Sequence, residues 1–260
     1  MEEKRNFDLL TLGQVLLRLS PPNNDRLVRG DTFVKQVGGA ELNVAVGVAL
    51  LGLRTGVISK LPSHDMGSFM KGKIRSYGVS DDFFMYDDSP SARVGIYYYE
   101  NGAYPRKPKV IYDRANSSFY SLKIDEIPEK AYTASRCFHT SGITLALSPK
   151  VRETTIEMIK RFKAAGTLVS FDVNFRGNLW TGEEAKECIE QILPYVDIFF
   201  CSEDTARLTF KKTGTAREMM KSFTEEYPIS IVASTQRIVH SPKSHTFGSI
   251  IYDADRKSVV

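Results

Sequence analysis

The stretch Leu168-Val169-Ser170-Phe171-Asp172-Val173-Asn174-Phe175-Arg176, followed by Gly177-Asn178-Leu179-Trp180, decides how this chain folds. An apolar, β-prone run that enters Asp, Asn and Arg at its C-terminal end reads as a buried strand with a polar carboxyl edge. Open α/β sheets collect their ligands outside the carboxyl ends of the strands. Side chains alternate along a strand, so Asp172, Asn174 and Arg176 are expected on one side. For any one such Asp, a strand end that salt-bridges itself into a loop is an equally good reading. Three polar residues in register, with Trp180 close behind, favour a binding edge.

Around this strand, helix and strand patterns alternate. Cys137 to Ile143 reads as a strand; Ser148 and Pro149 open a helix that runs to about Ala165 and closes at Gly166. Thr181 and Glu184 form a capping box for a helix through Leu193. Val196 to Cys201 is the next strand, followed by helices from about Glu203 and around Arg217 to Tyr227, then strands Ile229 to Ser234 and Phe247 to Tyr252. Such alternation predicts an α/β fold, a parallel sheet with helices on both faces.

The first half adds a second theme. Phe7 to Gly13 reads as a strand that leads through Gln14 into an extended Val15 to Ser20, and Thr32 to Val37 delivers the chain to Gly38-Gly39. Leu42, Ala45, Val46, Ala49 and Leu50 then recur at helical spacing, with Gly52 at a left-handed C-cap. Glycines just ahead of a helix N-terminus let backbone N–H groups approach an anionic or hydroxyl-rich ligand, or simply make a tight turn. Thr55 to Leu61 is a strand and Asp65 to Tyr77 a helix. Within that helix Gly67 to Ile74 nearly spells a phosphate-binding loop, but Ile74 replaces the required hydroxyl and no strand directly precedes it. It reads as a surface helix with Lys71, Lys73 and Arg75 solvated. Val94 to Glu100 and Lys109 to Arg114 form a hairpin with no covering helix. With the extended pieces before Gly38, the hairpin predicts a small projecting sheet. Its tyrosines and Arg suit a polyhydroxylated acid or, alternatively, a dimer interface.

At 260 residues, 42% hydrophobic and 25% charged, the chain has ordinary globular composition and length for one large core. Its net charge of +4 is spread along the whole length without a basic block, so nucleic acid is not implied. Cys137, Cys188 and Cys201 sit far apart in apolar contexts and read as reduced core thiols. No apolar run approaches membrane length and no cleavable signal is visible, so a cytoplasmic protein without a membrane partner is expected.

Gly38-Gly39-Ala40-Glu41-Leu42-Asn43-Val44-Ala45, Gly95-Ile96-Tyr97, Tyr112-Asp113-Arg114, Ser141-Gly142-Ile143-Thr144 and Asp172-Val173-Asn174-Phe175-Arg176 together resemble the ribokinase-like (PfkB-type) sugar kinases, among them the 2-keto-3-deoxygluconate kinases. The resemblance covers nearly the whole chain. It implies one domain over 1–260, a Rossmann-like three-layer core with a β-lid built from about 14–37 and 92–116. It further implies ATP- and Mg2+-dependent phosphorylation of a small sugar acid. By the same resemblance Gly38, Gly39, Asn43, Tyr97, Tyr112, Arg114 and Ile143 surround the substrate, Arg114 and Arg176 meet its acid group, and Asp172 and Asn174 support the pocket. Ser202, Glu203 and Ser234 fall on the nucleotide side, and the lid is a possible route to a homo-oligomer.

Two departures from the family pattern stand out. Similar kinases carry a Gly-Ala-Gly-Asp type segment that supplies an anion hole and the Asp that takes the hydroxyl proton; none occurs here. At Ser202-Glu203-Asp204-Thr205 the family's Asn-x-x-Glu type pattern has Ser first and Thr last. Phosphoryl transfer rests on positioning and charge stabilisation, and one anion-hole donor is worth about 3 kcal/mol. The fold is therefore expected to be incomplete at its C-terminus and the chain weakly active or inactive. The alternatives are a kinase for a fructose- or ribose-type sugar, or a non-catalytic sugar-acid binder on a kinase scaffold.

Overall fold

In the computed structural model, which describes residues 5–241, 244–255 and 258–259, hydrophobic runs become strands where β-formers crowd together and helices where apolar spacing lengthens. In chain order the strands and helices are β1 (Phe7–Leu12), β2 (Leu16–Ser20), β3 (Val34–Gly38), α1 (Ala40–Leu50), β4 (Thr55–Pro62), α2 (Asp65–Ser76), β5 (Val79–Ser80), β6 (Phe84–Asp87), β7 (Gly95–Glu100) and β8 (Lys109–Asp113). They continue with α3 (Lys130–Thr133), β9 (Ser135–Ser141), α4 (Gly142–Ala146), α5 (Pro149–Ala164), β10 (Leu168–Asp172), α6 (Gly182–Glu190), β11 (Ile198–Phe200), α7 (Glu203–Leu208), α8 (Ala216–Glu226), β12 (Ile231–Ser241), β13 (Ser244–Asp253) and β14 (Ser258–Val259).

Among the described residues the large sheet runs β14-β13-β12-β11-β10-β9-β1-β4-β5, with β6 paired to β4. From β12 to β5 every pairing is parallel; β13 and β14 join antiparallel. The chain leaves β1 towards β4 on one side, then returns to place β9 on the other. A topological switch point thus lies between β1 and β9, where crossovers depart in opposite directions and open a crevice.

Two apolar cores hold the layers. The larger includes Phe138, Phe162, Phe171 and Phe199, with Phe138 of β9 stacked on Phe162 of α5 at 4.0 Å between ring centroids. Fully burying each such ring is worth about 1.5–3 kcal/mol. The second gathers Leu42, Ala45, Met70 and Ile74 from α1 and α2 with Val15, Leu17, Val37 and Val94 from the roots of the small sheet. That sheet runs β3-β2-β7-β8 and stands apart from the large one, as the uncovered hairpin predicts.

Local chemistry sets the helix ends. Ser148 Oγ accepts from Val151 N, and Thr181 and Thr215 each complete the expected type of capping box with Glu184 and Glu218. Gly52, Gly78 and Gly166 close α1, α2 and α5 at φ of 85°, 78° and 71°.

Several boundaries differ from expectation. The strand Cys137 to Ile143 ends at Ser141, because its hydroxyl accepts from Ile143 N and caps α4. The helix through Leu193 stops at Glu190, with a 3-10 turn at Leu193–Tyr195. The decisive strand ends at Asp172, so alternation does not extend to Asn174 and Arg176. Asp172 Oδ1 accepts from Asn174 N at 2.9 Å, and Asn174 turns to φ 39°. Asn and Asp tolerate this conformation, and such side-chain-to-backbone bonds compete with the ladder. On α2, Lys71 and Arg75 are not simply solvated: both pair with Asp81, at 3.3 and 2.6 Å. Gly67 is required there by packing, since a Cβ on it would stand 1.9 Å from Pro62 O.

Candidate functional site

The crevice beside β1 is organised by a buried carboxylate. Glu41, one residue into α1, is 2% exposed. Its Oε1 accepts from Ser141 Oγ at 2.5 Å and Thr144 Oγ1 at 2.9 Å. Its other side fills the space over Gly13, where a Cβ would meet Oε2 at 2.1 Å. The ends of β1 and β9 and the start of α1 are thus tied to one side chain. Burial pushes the Glu41 carboxyl above its ordinary range, against the pull of the Ser141 and Thr144 hydroxyls and the Arg114 charge.

Beside it the small sheet presents the expected sugar-side residues together. A Cβ on Gly38 would stand 2.9 Å from the Tyr97 hydroxyl, so the phenol lies against this glycine. Gly39, at φ 156°, leaves room for the Gln14 carbonyl, 2.8 Å from where its Cβ would be. The rings of Tyr97 and Tyr112 lie 5.9 Å apart, and the Arg114 guanidinium is 5.6 Å from the Tyr112 ring centre. Arg114 donates Nε–H to Gln14 Oε1 at 2.7 Å. Burial lowers its pKa from the ordinary guanidinium value, and the charge of Arg176 acts in the same direction. The two guanidiniums feel each other, and among the described residues neither is ion-paired to a carboxylate. Asn43 sits exposed one turn into α1, its N–H bonded to Gly39 O at 2.9 Å.

At the carboxyl ends of β10 and β11, beside the first half of β12, opens a second space of about 450 Å³. It is lined by Asp172, Asn174, Arg176, Ser202, Thr205 and Thr235, among others. Burial raises the Asp172 pKa, opposed by the Asn174 N–H and the Arg176 charge. Arg176 is exposed and donates Nη1–H to Phe175 O. Ile143 is half-buried on α4, which reaches the turn after β10 because Gly142 carries no side chain. A Cβ on Gly142 would stand 2.1 Å from Val173 O and 3.4 Å from the Trp180 ring. Trp180 is 5% exposed, with the Arg152 guanidinium 5.7 Å from its ring centre.

The nucleotide-side expectations divide. Ser202 lines the space and caps α7 by accepting from Thr205 N. Glu203 instead pairs with Arg207 at 2.8 Å and, with Ser234, lines a separate small crevice near α8. Ser234 is buried, and alternation along β12 aims its neighbours Ala233 and Thr235 into the larger space in its place. Glu41, Gln14 and Thr235 are site residues that the sequence reading did not single out. The signal for Glu41 was the one acid in a helix whose only other polar side chain is Asn43. All three cysteines are unpaired; Cys188 and Cys201 are buried, and burial pushes the Cys137 thiol up to about 11. No helix of the described residues is long and apolar enough to cross a membrane.

Residues 6–236 match the family described as pfkB family carbohydrate kinase. Over 229 residues, 88% of this chain and 71% of the other, the chain is 34% identical to a 2-dehydro-3-deoxygalactonokinase of Haloferax volcanii. A 5-dehydro-2-deoxygluconokinase of Listeria monocytogenes is 27% identical over 231 residues, 88% of this chain and 70% of the other. The crystal structure of a 2-dehydro-3-deoxygluconokinase from Thermotoga maritima is similar with a TM-score of 0.90 at 31% identity, covering 95% of this chain and 77% of that one. With a switch-point crevice, a glycine-floored lid and a family match along most of its length, this chain belongs to the pfkB family of carbohydrate kinases.

Proposed function

We propose that the site recognises a small keto-deoxy sugar acid, first among them 2-keto-3-deoxygluconate, for phosphorylation to its 6-phosphate with ATP as donor. The observation that carries this reading is the pair Arg114 and Arg176. The two repel one another, Arg176 lines the second space, and among the described residues neither forms a salt bridge, the carboxylates of Glu41 and Asp172 attracting Arg114 and Arg176 only at longer range. Two such cations are costly to hold together unless an anion joins them, and Arg binds carboxylates through paired charge-assisted hydrogen bonds. Tyr97 and Tyr112 supply ring faces and hydroxyls for the carbon chain. Glycines at the start of α1 admit a hydroxyl-rich ligand close to the backbone.

The larger space, with Ser202, Thr205 and Thr235, suits the nucleotide. A magnesium ion needs only one or two protein carboxylates beside nucleotide phosphates. Among the described residues there is no cluster of three or more metal-ligating side chains, and Asp172 and Asp204 are the carboxylates lining this space. The 260 residues contain no Gly-Ala-Gly-Asp type segment. For this polypeptide the reading is recognition of both ligands with weak turnover. On the lid, Phe33, Val34, Val110 and Ile111 are 41–47% exposed, which supports pairing with a second copy.

Titration calorimetry with 2-keto-3-deoxygluconate and with fructose, beside a coupled assay with ATP and magnesium, tests the reading. The acid is expected to bind and fructose to bind at least about tenfold more weakly, the discrimination a charge-assisted pair provides. Equal affinity for the two would favour a neutral-sugar kinase. Binding with no turnover at any enzyme concentration would favour a sugar-acid binder on a kinase scaffold.

A further inference from the structure

We propose that Gln14 is a positioning residue that aims Arg114 and makes the seating of the lid part of sugar-acid recognition. This rests on the reading above that Arg114 meets the acid group. Gln14 stands two residues beyond the end of β1 and is 3% exposed. Its Oε1 accepts from Arg114 Nε at 2.7 Å, and its Nε2 donates to Arg114 O at 3.2 Å and Ser117 Oγ at 2.6 Å. Both ends of the amide are therefore used, and two of its three bonds go to one residue.

The four places where the chain crosses between lid and body meet at this residue, through its side chain or its backbone carbonyl. Gln14 itself leads into β2. Gly39 leaves β3 with its missing Cβ 2.8 Å from Gln14 O, and Gly95 enters β7 with its missing Cβ 2.8 Å from Gln14 Nε2. Arg114 leaves β8. Anything larger than hydrogen at Gly95 would displace the amide that orients Arg114, and at Gly39 it would press on the backbone carbonyl of the same residue. Anchoring through Nε leaves both Nη groups of Arg114 available, and a neutral amide holds the guanidinium without cancelling its charge. The nearby carboxylate of Glu41 attracts Arg114 at longer range but forms no ion pair with it, and its Oε1 is engaged by Ser141 and Thr144.

A double-mutant cycle on the full 260-residue chain, read by calorimetry with 2-keto-3-deoxygluconate and separately with ATP, tests the assignment. Gln14→Met keeps length and removes all three bonds. It is expected to weaken sugar-acid binding about tenfold, the usual worth of a hydrogen bond to a charged group, and to leave ATP binding within about twofold. Arg114→Ala is expected to weaken sugar-acid binding more, and adding Gln14→Met to it should cost nothing further. Additive losses, or a parallel loss of ATP binding, would overturn the positioning role while leaving the sugar-acid reading intact. No effect of Arg114→Ala would overturn that reading and the proposal with it. If Gln14→Met does not fold, Ser117→Ala loosens the amide without touching Arg114, and the same cycle applies with a smaller effect of the same sign.

Discussion

Replacing Glu41 separates its role as an acceptor from its role as a charge. Glu41→Ala removes the oxygen shared by Ser141 Oγ and Thr144 Oγ1, at 2.5 and 2.9 Å, and strands two buried hydroxyls. Hydrogen bonds to a charged group are each worth about 1.5–3 kcal/mol, and relief of the buried charge offsets part of that. A net loss of about 2–4 kcal/mol follows, or roughly 5–15 °C in Tm for a chain of this size. Glu41→Gln keeps an acceptor oxygen for both hydroxyls and drops the charge. Burial raises the folded-state pKa of Glu41 above its ordinary 4.5. The folded state therefore holds this proton more tightly than the unfolded one. That contribution to stability is full below the unfolded value and is lost as pH rises through the folded one. The stability of the native chain minus that of Glu41→Gln should fall as pH rises from the ordinary 4.5 through the raised folded-state value, and taking the difference cancels other titrating groups. Urea unfolding of all three proteins across that range measures both effects. A cost of Glu41→Ala under about 1 kcal/mol would mean that the hydroxyls find other partners. A native-minus-Gln difference that grows with pH would refute the burial argument.

Arg176→Ala should weaken 2-keto-3-deoxygluconate binding by about tenfold or more while changing ATP affinity far less; calorimetry giving equal losses would count against its place on the sugar side. Gly142→Ala puts a methyl 2.1 Å from the Val173 carbonyl, where only backbone can yield. It should cost about 1–3 kcal/mol, seen as a lowered urea midpoint, and wild-type stability would refute the close approach. Burial holds the His139 ring neutral and pulls its pKa down to about 4. Its folded-state pKa lies below the unfolded value, so stability is present above the unfolded value and lost as pH falls towards 4. Its NMR ring signals should not titrate above pH 5, and a midpoint near 6.5 would show an exposed ring.

How far the sequence announces this structure depends on the range of the interactions. The lid was legible because β7 and β8 are β-rich runs with no helical pattern to cover them, and the helix ends were legible because Thr181 and Gly166 act on their own neighbours. The Asp172 edge was legible as a site but not in its geometry. Period-2 alternation extends a strand until something stops it, and what stops β10 is a side-chain bond from Asp172 to the Asn174 backbone. Ile143 moved from strand to helix for the same reason, a capping hydroxyl at Ser141. Glu41 and Gln14 were hidden because their partners lie 100 or more residues away in sequence, at Ser141, Thr144, Arg114 and Ser117. Ser234 was placed on the nucleotide side by the resemblance, and a one-residue step along β12 turns it from the space that Thr235 lines.

The packing of Trp180 against Gly142 has an optical consequence. This is the chain's one tryptophan, and its indole rests on the glycine whose other neighbour is the Val173 carbonyl, next to Asp172 and Asn174. Indole emission follows the local electric field, so fluorescence excited at the red edge of indole absorption, where the 12 tyrosines do not absorb, reports from the junction between the two proposed ligand spaces. A ligand that resets the Asp172–Arg176 turn shifts that emission, whereas one that docks on a preformed turn leaves the wavelength in place. Titrating sugar acid and nucleotide separately therefore distinguishes an adaptable junction from a rigid one without any label.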